Sequence, residues 1–213
     1  MIKAILFDMD GVLLDSRELH FMALNRALHE ICGMEISLSE HLSTYDGIPT
    51  IVKLKMLEIE KGLPADLHGI IIEKKQHYTV ELLTRCCHPN HSHIMMLERL
   101  RNEGFELGLC SNSVKQTVEL AMRHLGMRAC FNFLLSNEDV DNPKPHPEIY
   151  QKAFKLLGRQ PTECLIVEDS DKGREAAEKS GAHLLMVKGI EQTDYDRISL
   201  TIKGIEDNLI FMR

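Results

Sequence analysis

From Ile94 onward the chain alternates between two periods, and few folds accommodate that alternation. A helical stretch from Ile94 to Asn102 precedes an apolar run from Phe105 to Cys110, and a helix from Val114 to Leu125 precedes the run from Phe133 to Leu135. A helix from Pro147 to Leu157 then leads to the strand Cys164 to Val167, and a helix from Lys172 to Ser180 to the strand Ala182 to Val187. Gly104, Gly126, Gly158 and Gly181 stand just past the four helices, where a helix C-terminus favours glycine. Strands separated by helices cannot pair as hairpins, so the pattern predicts a parallel sheet in an α/β fold. The tail from Glu191 to Arg213 has no clear period.

A first strand precedes all of this. Ile2 to Phe7 is a short apolar run closed by Asp8-Met9-Asp10-Gly11. It is followed by helical spacing from Ser16 to Ile31, with Asp15 or Ser16 available as N-cap. Further helices are expected from Thr50 to Lys61, stopped by Gly62-Leu63-Pro64, and from about Asp66 to Leu83, with no strand signal between them. Residues 15–87 therefore read as an all-helical insertion into an α/β core of residues 1–14 and 88–213. The 213 residues exceed an average domain of about 150, which suits one domain carrying an insertion.

Charge and cysteine usage remove several function classes. With 32 acidic against 25 basic side chains and no Lys/Arg block, the chain would repel a polyanion, so no nucleic-acid partner is expected. The apolar run from Ala4 to Phe7 is far too short for a signal-peptide core or a membrane span, and neither is expected. Six cysteines without a CxxC pair suit free thiols in a reducing compartment, so a cytoplasmic protein is expected, monomeric or weakly homo-oligomeric.

In an open parallel sheet ligands bind beyond the carboxyl ends of the strands. Those ends carry Asp8 and Asp10, then Ser111-Asn112-Ser113, then Glu168-Asp169-Ser170-Asp171, and the connection after the third strand carries Lys144 between two prolines. Carboxylates at i and i+2 of an extended segment point the same way, so Asp8 and Asp10 can face one site. With Asp169 they form a cluster that repels itself unless a cation is bound, and hard oxygen donors favour Mg²⁺. A cation, a lysine and a hydroxyl near a helix N-terminus suit a phosphate dianion, and an aspartate there can act as nucleophile.

These residues resemble the haloacid dehalogenase superfamily, in its branch with a helical cap inserted after the first strand, similar to β-phosphoglucomutase and phosphoglycolate-phosphatase-type enzymes. The resemblance rests on FDMDGVLLDS at residues 7–16, Leu109 to Ser113, Lys144-Pro145-His146-Pro147, and Ile166 to Ser170. It implies a Rossmann-like three-layer core, Asp8 as nucleophile, Asp10 as general acid and base, and Ser111 and Lys144 on the phosphoryl oxygens. It further implies Mg²⁺ held by Asp8, the main-chain carbonyl of Asp10, and Asp169, with Glu168 nearby. Asn112 of the second motif is a candidate substrate contact.

Other residues carry two readings. His20 is a substrate contact or a cap-packing histidine, and Lys75 and Lys53 reach substrate or are solvated helix lysines. Asp15 suits a helix N-cap, and Asp171 the dipole of the helix it begins. The stretch Cys86-Cys87-His88-Pro89-Asn90-His91-Ser92-His93 offers soft ligands, but it fits no zinc framework and reads as a hinge returning from the cap. Met95 and Met96 read as core filling. The expected activity is Mg²⁺-dependent hydrolysis of a small phosphorylated metabolite through an aspartyl-phosphate. The alternatives are a phosphosugar mutase and, from another class, a phospho-accepting receiver-like domain. A receiver lacks both the second acid and the helical roof. A mutase must grip a second phosphate, yet no arginine stands between Arg26 and Arg85.

Overall fold

The computed structural model describes residues 1–45 and 48–211. The chain divides into two units, Met1–Asp15 with Cys87–Arg213, and Ser16–Cys86.

The first unit is built on five parallel strands: β1 (Ala4–Phe7), β2 (Glu106–Cys110), β3 (Phe133–Leu135), β4 (Cys164–Glu168) and β5 (His183–Met186). They lie in the order β3-β2-β1-β4-β5, so β1 is central, with Phe7 opposite Leu109 on one side and Val167 on the other. All four residues of β1 are buried, as a parallel strand covered on both faces requires. The strand is shorter than the expected run from Ile2, although Lys3 still donates to the Glu163 carbonyl at 2.8 Å.

Strand alternation divides the core. Ala4, Leu6, Cys110, Cys164 and Ile166 pack with Ile149, Tyr150, Ala153 and Phe154 of α7 (Glu148–Leu157) and with Ala176 and Ala177 of α8 (Asp171–Ser180). Ile5, Phe7, Leu107, Leu109 and Val167 have the opposite parity and are equally buried, as are Met96, Leu97 and Leu100 of α5 (His91–Asn102) and Val118, Ala121 and Met122 of α6 (Lys115–His124). The sheet is thus the middle layer of three.

The second unit is helical, with α1 (Arg17–Cys32), the short α2 (Leu38–Glu40), a π-type turn at His41–Tyr45, α3 (Thr50–Lys61) and α4 (His68–Cys86). Ala23, Leu24, Ala27 and Leu28 of α1 form one apolar stripe against Leu54 and Leu57 of α3 and Ile71 and Tyr78 of α4.

Several boundaries differ from expectation. Helix α1 has Ser16 at its N-cap with no side-chain capping bond, while Asp15 is exposed. Helix α5 starts at His91 rather than Ile94, because Asn90 Oδ1 accepts from the His93 N–H at 3.2 Å. Half of the stretch read as a hinge is therefore helix. Met95 is 69% exposed and only Met96 fills the core. The ambiguous tail forms α9 (Tyr195–Phe211). All six cysteines are unbridged. No helix among the described residues is long and apolar enough to cross a membrane.

The Asn25 side chain ties the loop after α1 to that helix on both sides of one residue. Asn25 Nδ2 donates to the Ile36 carbonyl and its Oδ1 accepts from the Ile36 N–H, both at 2.8 Å. Asn25→Ala orphans both groups beside the buried Ile36, so it should destabilise the helical unit by about 1–3 kcal/mol, read as a lower urea midpoint.

Candidate active site

The site begins where β1 ends. The Asp8 N–H extends the ladder by donating to the Val167 carbonyl at 3.0 Å. The chain then folds back, with the N–H groups of Leu13 and Leu14 both donating to the Met9 carbonyl at 2.9 Å. Gly11 makes this turn possible, since its φ is +79° and an added Cβ would stand 1.9 Å from Asp169 Oδ2.

By strand parity Asp8 shares the face of Ala4 and Leu6, and Glu168 shares that of Cys164 and Ile166, so both carboxylates lie on the side covered by α7 and α8. The ammonium of Lys144 joins them. Lys144 Nζ donates to Asp8 Oδ1 at 2.8 Å, to the Cys110 carbonyl at 2.7 Å and to Glu168 Oε1 at 2.5 Å. These three bonds use all three ammonium donors of a lysine that is 4% exposed. Asn112 fixes the Lys144 backbone: its Nδ2 donates to the Lys144 carbonyl and its Oδ1 accepts from the Lys144 N–H, both at 3.0 Å. Asn112, expected to contact substrate, thus spends a donor and an acceptor on the loop that carries the lysine.

Asp10 is held separately, accepting from Ser113 Oγ at 2.8 Å on its Oδ2. Two acids that alternation points the same way are therefore bound to different partners. Ser111 is fully buried; its N–H donates to the Leu135 carbonyl and its Oγ accepts from the Ser113 N–H, both at 3.0 Å.

Glu168 is the most enclosed of the acids, with no exposed surface. Its Oε1 also accepts from Tyr150 OH at 2.6 Å, and its Oε2 from the Asp169 N–H at 3.2 Å and Ser170 Oγ at 3.4 Å. Ser170 caps α8, its Oγ accepting from the Gly173 N–H at 3.1 Å. Space for the carboxylate comes from Gly173, where an added Cβ would lie 1.9 Å from Glu168 Cδ.

The electrostatics follow from this enclosure. Burial pushes the Asp8 carboxyl well above the usual range; Lys144 opposes the shift, while Glu168 and Asp10 add to it. Burial alone would lower the Lys144 ammonium, but the adjacent Asp8 and Glu168 carboxylates outweigh it and the net shift is upward. Ligand oxygens of Asp8, Glu168 and Asp169 lie within 4.8 Å of one another. Two of these three acids share the Lys144 ammonium, and a set of hard carboxylate donors with excess negative charge fits a hard divalent cation.

The remaining expected residues have the following surroundings. In the helical unit, Lys75 Nζ is 3.4 Å from His20 Nδ1, and Lys53 is 7% exposed rather than solvated. Asp171 stands in the first turn of α8 with its side chain 91% exposed, paired to Arg174 at 2.9 Å. Of the Cys/His stretch, Cys86 ends α4, and His93 is buried with its Nε2 3.1 Å from the Ile190 carbonyl. Among the described residues only Asp8, Glu168 and Asp169 converge as a possible metal group. Ser113, Tyr150 and Gly173 were not foreseen. Ser113 stood beside Ser111 in the same motif, but Tyr150 follows the apolar period of α7 and carries no separate sequence signal.

Gly173→Ala should displace Glu168 and loosen the Lys144 anchorage. We expect a loss of about 1–3 kcal/mol in stability, the usual range for overpacking, together with reduced turnover, checked by chemical unfolding and by kcat.

Known proteins share the sequence pattern and the fold. Residues 5–187 match the family model described as haloacid dehalogenase-like hydrolase. Pyrophosphatase PpaX of Bacillus cereus (strain AH820) is 27% identical over 203 residues, covering 88% of this chain and 86% of its own. The crystal structure of CbbY from Rhodobacter sphaeroides in complex with phosphate has a TM-score of 0.79 at 26% identity, covering 89% of this chain and 87% of that one. β-Phosphoglucomutase from Clostridium difficile has a TM-score of 0.81 at 23% identity over 99% of this chain and 100% of its own, a likeness of fold. With a parallel sheet, strand-end acids and a family match running from β1 to the end of β5, the chain belongs to the haloacid dehalogenase-like hydrolase family.

Proposed function

We propose that the protein is a Mg²⁺-dependent phosphatase that hydrolyses a small phosphomonoester, such as a sugar phosphate, through a phosphoryl group carried on Asp8. The observation that supports this reading is that the two acids have different partners. Asp8 is buried against Lys144, and Asp10 is held apart on Ser113.

Asp8, the first acid beyond β1, attacks phosphorus through a carboxylate oxygen while the bond to the leaving oxygen breaks. Protonated Asp10 gives its proton to that oxygen. As a base it then takes a proton from water, whose oxygen attacks phosphorus, releasing phosphate and restoring the Asp8 carboxylate. The Ser113 hydroxyl orients the Asp10 carboxyl for both transfers, and Lys144 offsets the charge of Asp8 and Glu168 as a dianion approaches. Asp8, Asp169 and the Asp10 carbonyl are the groups that would hold Mg²⁺, with Glu168 beside them on Lys144. When bound, the cation neutralises the acids and polarises a phosphoryl oxygen.

The acids and the lysine at the sheet's carboxyl edge support a small phosphorylated substrate, and the matched pyrophosphatase adds pyrophosphate to the compounds worth testing. Six unbridged cysteines suit action in the cytoplasm. In a rate screen across sugar phosphates, phosphoglycolate, nucleoside monophosphates, pyrophosphate and nitrophenyl phosphate, we expect Mg²⁺-dependent release of inorganic phosphate that chelator abolishes. Asp8→Asn should show no turnover and no phosphoenzyme. Asp10→Asn should slow turnover by about 10²- to 10⁴-fold and accumulate phosphate on Asp8 with nitrophenyl phosphate, seen by intact-protein mass spectrometry. Label on Ser111, or wild-type turnover by Asp8→Asn, would remove the role assignment. A product that keeps its phosphate at a new position would replace hydrolysis with the mutase reading.

A further inference from the structure

Tyr150 is fully buried on α7, on the side of the sheet that carries the acids. A buried phenol needs a partner for its hydroxyl, and a main-chain carbonyl would suffice. Here the partner is Glu168 Oε1, at 2.6 Å, the same oxygen that takes Lys144 Nζ at 2.5 Å. The ring approaches the lysine as well, with Nζ 5.1 Å from its centroid. Tyr150 thus meets both ends of the ion pair that fixes the ammonium on Asp8.

The four bonds to Glu168 are unequal. Those from Lys144 and Tyr150 to Oε1 are short and come from side chains, whereas Oε2 has contacts of 3.2 and 3.4 Å from its own neighbours Asp169 and Ser170. The carboxylate is therefore drawn toward Oε1. Yet one of its oxygens also lies within 4.8 Å of ligand oxygens of Asp8 and Asp169. Glu168 stands between two employments, as counter-ion of Lys144 and as a member of the cation site. A hydroxyl donor on Oε1 favours the first, because it adds a charge-assisted bond to the same oxygen that takes the lysine.

We propose that Tyr150 is a positioning residue whose hydroxyl keeps Glu168 on Lys144, thereby keeping Lys144 on Asp8 and restraining Glu168 from closing on the cation. The proposal rests on Asp8 being the nucleophile. It predicts that loss of the hydroxyl moves two quantities in opposite directions. Turnover falls because the lysine is less well held, and Mg²⁺ binds more tightly because Glu168 is released toward it. General loosening of the core would weaken both.

The test is Tyr150→Phe, which keeps the ring and its packing. We expect kcat on nitrophenyl phosphate to fall about tenfold with KM nearly unchanged, and the Mg²⁺ dissociation constant of the substrate-free protein, measured by calorimetry, to fall several-fold. In a Glu168→Gln background the same change should have little further effect on either quantity, because Tyr150 acts through that carboxylate. Wild-type kcat and Mg²⁺ affinity with only a lowered Tm would overturn the proposal, as would weaker Mg²⁺ binding or effects that add to those of Glu168→Gln. If Glu168→Gln does not fold, calorimetry on Tyr150→Phe alone decides. If the wild-type protein hydrolyses no phosphate compound, the phosphatase reading fails while the calorimetric comparison still tests the restraint on Glu168. If it also binds no Mg²⁺, both readings fall.

Discussion

One buried ammonium organises the functional edge of the sheet. Lys144 Nζ bonds to Asp8 just beyond β1, to the carbonyl of Cys110 at the end of β2, and to Glu168 at the end of β4. These are the three adjacent central strands, β2-β1-β4, so a single side chain ties their carboxyl ends together. Its desolvation is tolerable only because two carboxylates and a carbonyl replace water. Removing one partner of such a buried pair typically costs about 3–5 kcal/mol, since the remaining charge is left uncompensated. The Asn112 amide and the Lys144 main chain form the brace that keeps the lysine in place.

That arrangement leaves negative charge unbalanced. Asp8 and Glu168 share the Lys144 ammonium, Asp169 lies close to both, and burial drives the Asp8 carboxyl upward despite the lysine. A fold stabilised for its own sake would not collect acids at the end of its central strand, and a divalent cation with a phosphate dianion would complete the charge pattern. The phosphatase proposal is the chemical reading of that imbalance. Glu168 is the shared element, because it serves the lysine and borders the acids that would hold the cation. This double position makes the hydroxyl of Tyr150 relevant to chemistry as well as to packing.

Close backbone approach is the second requirement of the site. A Cβ at Gly11 would fall on Asp169, and one at Gly173 would fall on Glu168. Gly11 lets the turn after β1 come up to Asp169, and Gly173 lets the first turn of α8 fold over Glu168 at the end of the strand that precedes it.

Much of this was legible in the residue order. Local rules set the five strands, the helices between them, the inserted helical stretch, the placing of Asp8, Asp10, Ser111 and Asp169 at strand ends, and that of Lys144 on the connection after the third strand. Apolar period, glycine stops and the i, i+2 geometry of extended chain act over a few residues, so they can be read directly. Helix ends were less legible; α5 begins early because the Asn90 side chain caps it. What only the tertiary structure decided are partnerships between distant residues. Strand order is one, and the bond from Lys144 to Asp8, across 136 positions, is another. Asn112 as a brace, Ser113 on Asp10, and Tyr150 on Glu168 belong to the same class. Such pairings depend on which side chains meet after the sheet has closed and water has left, and residue order alone does not encode that distance.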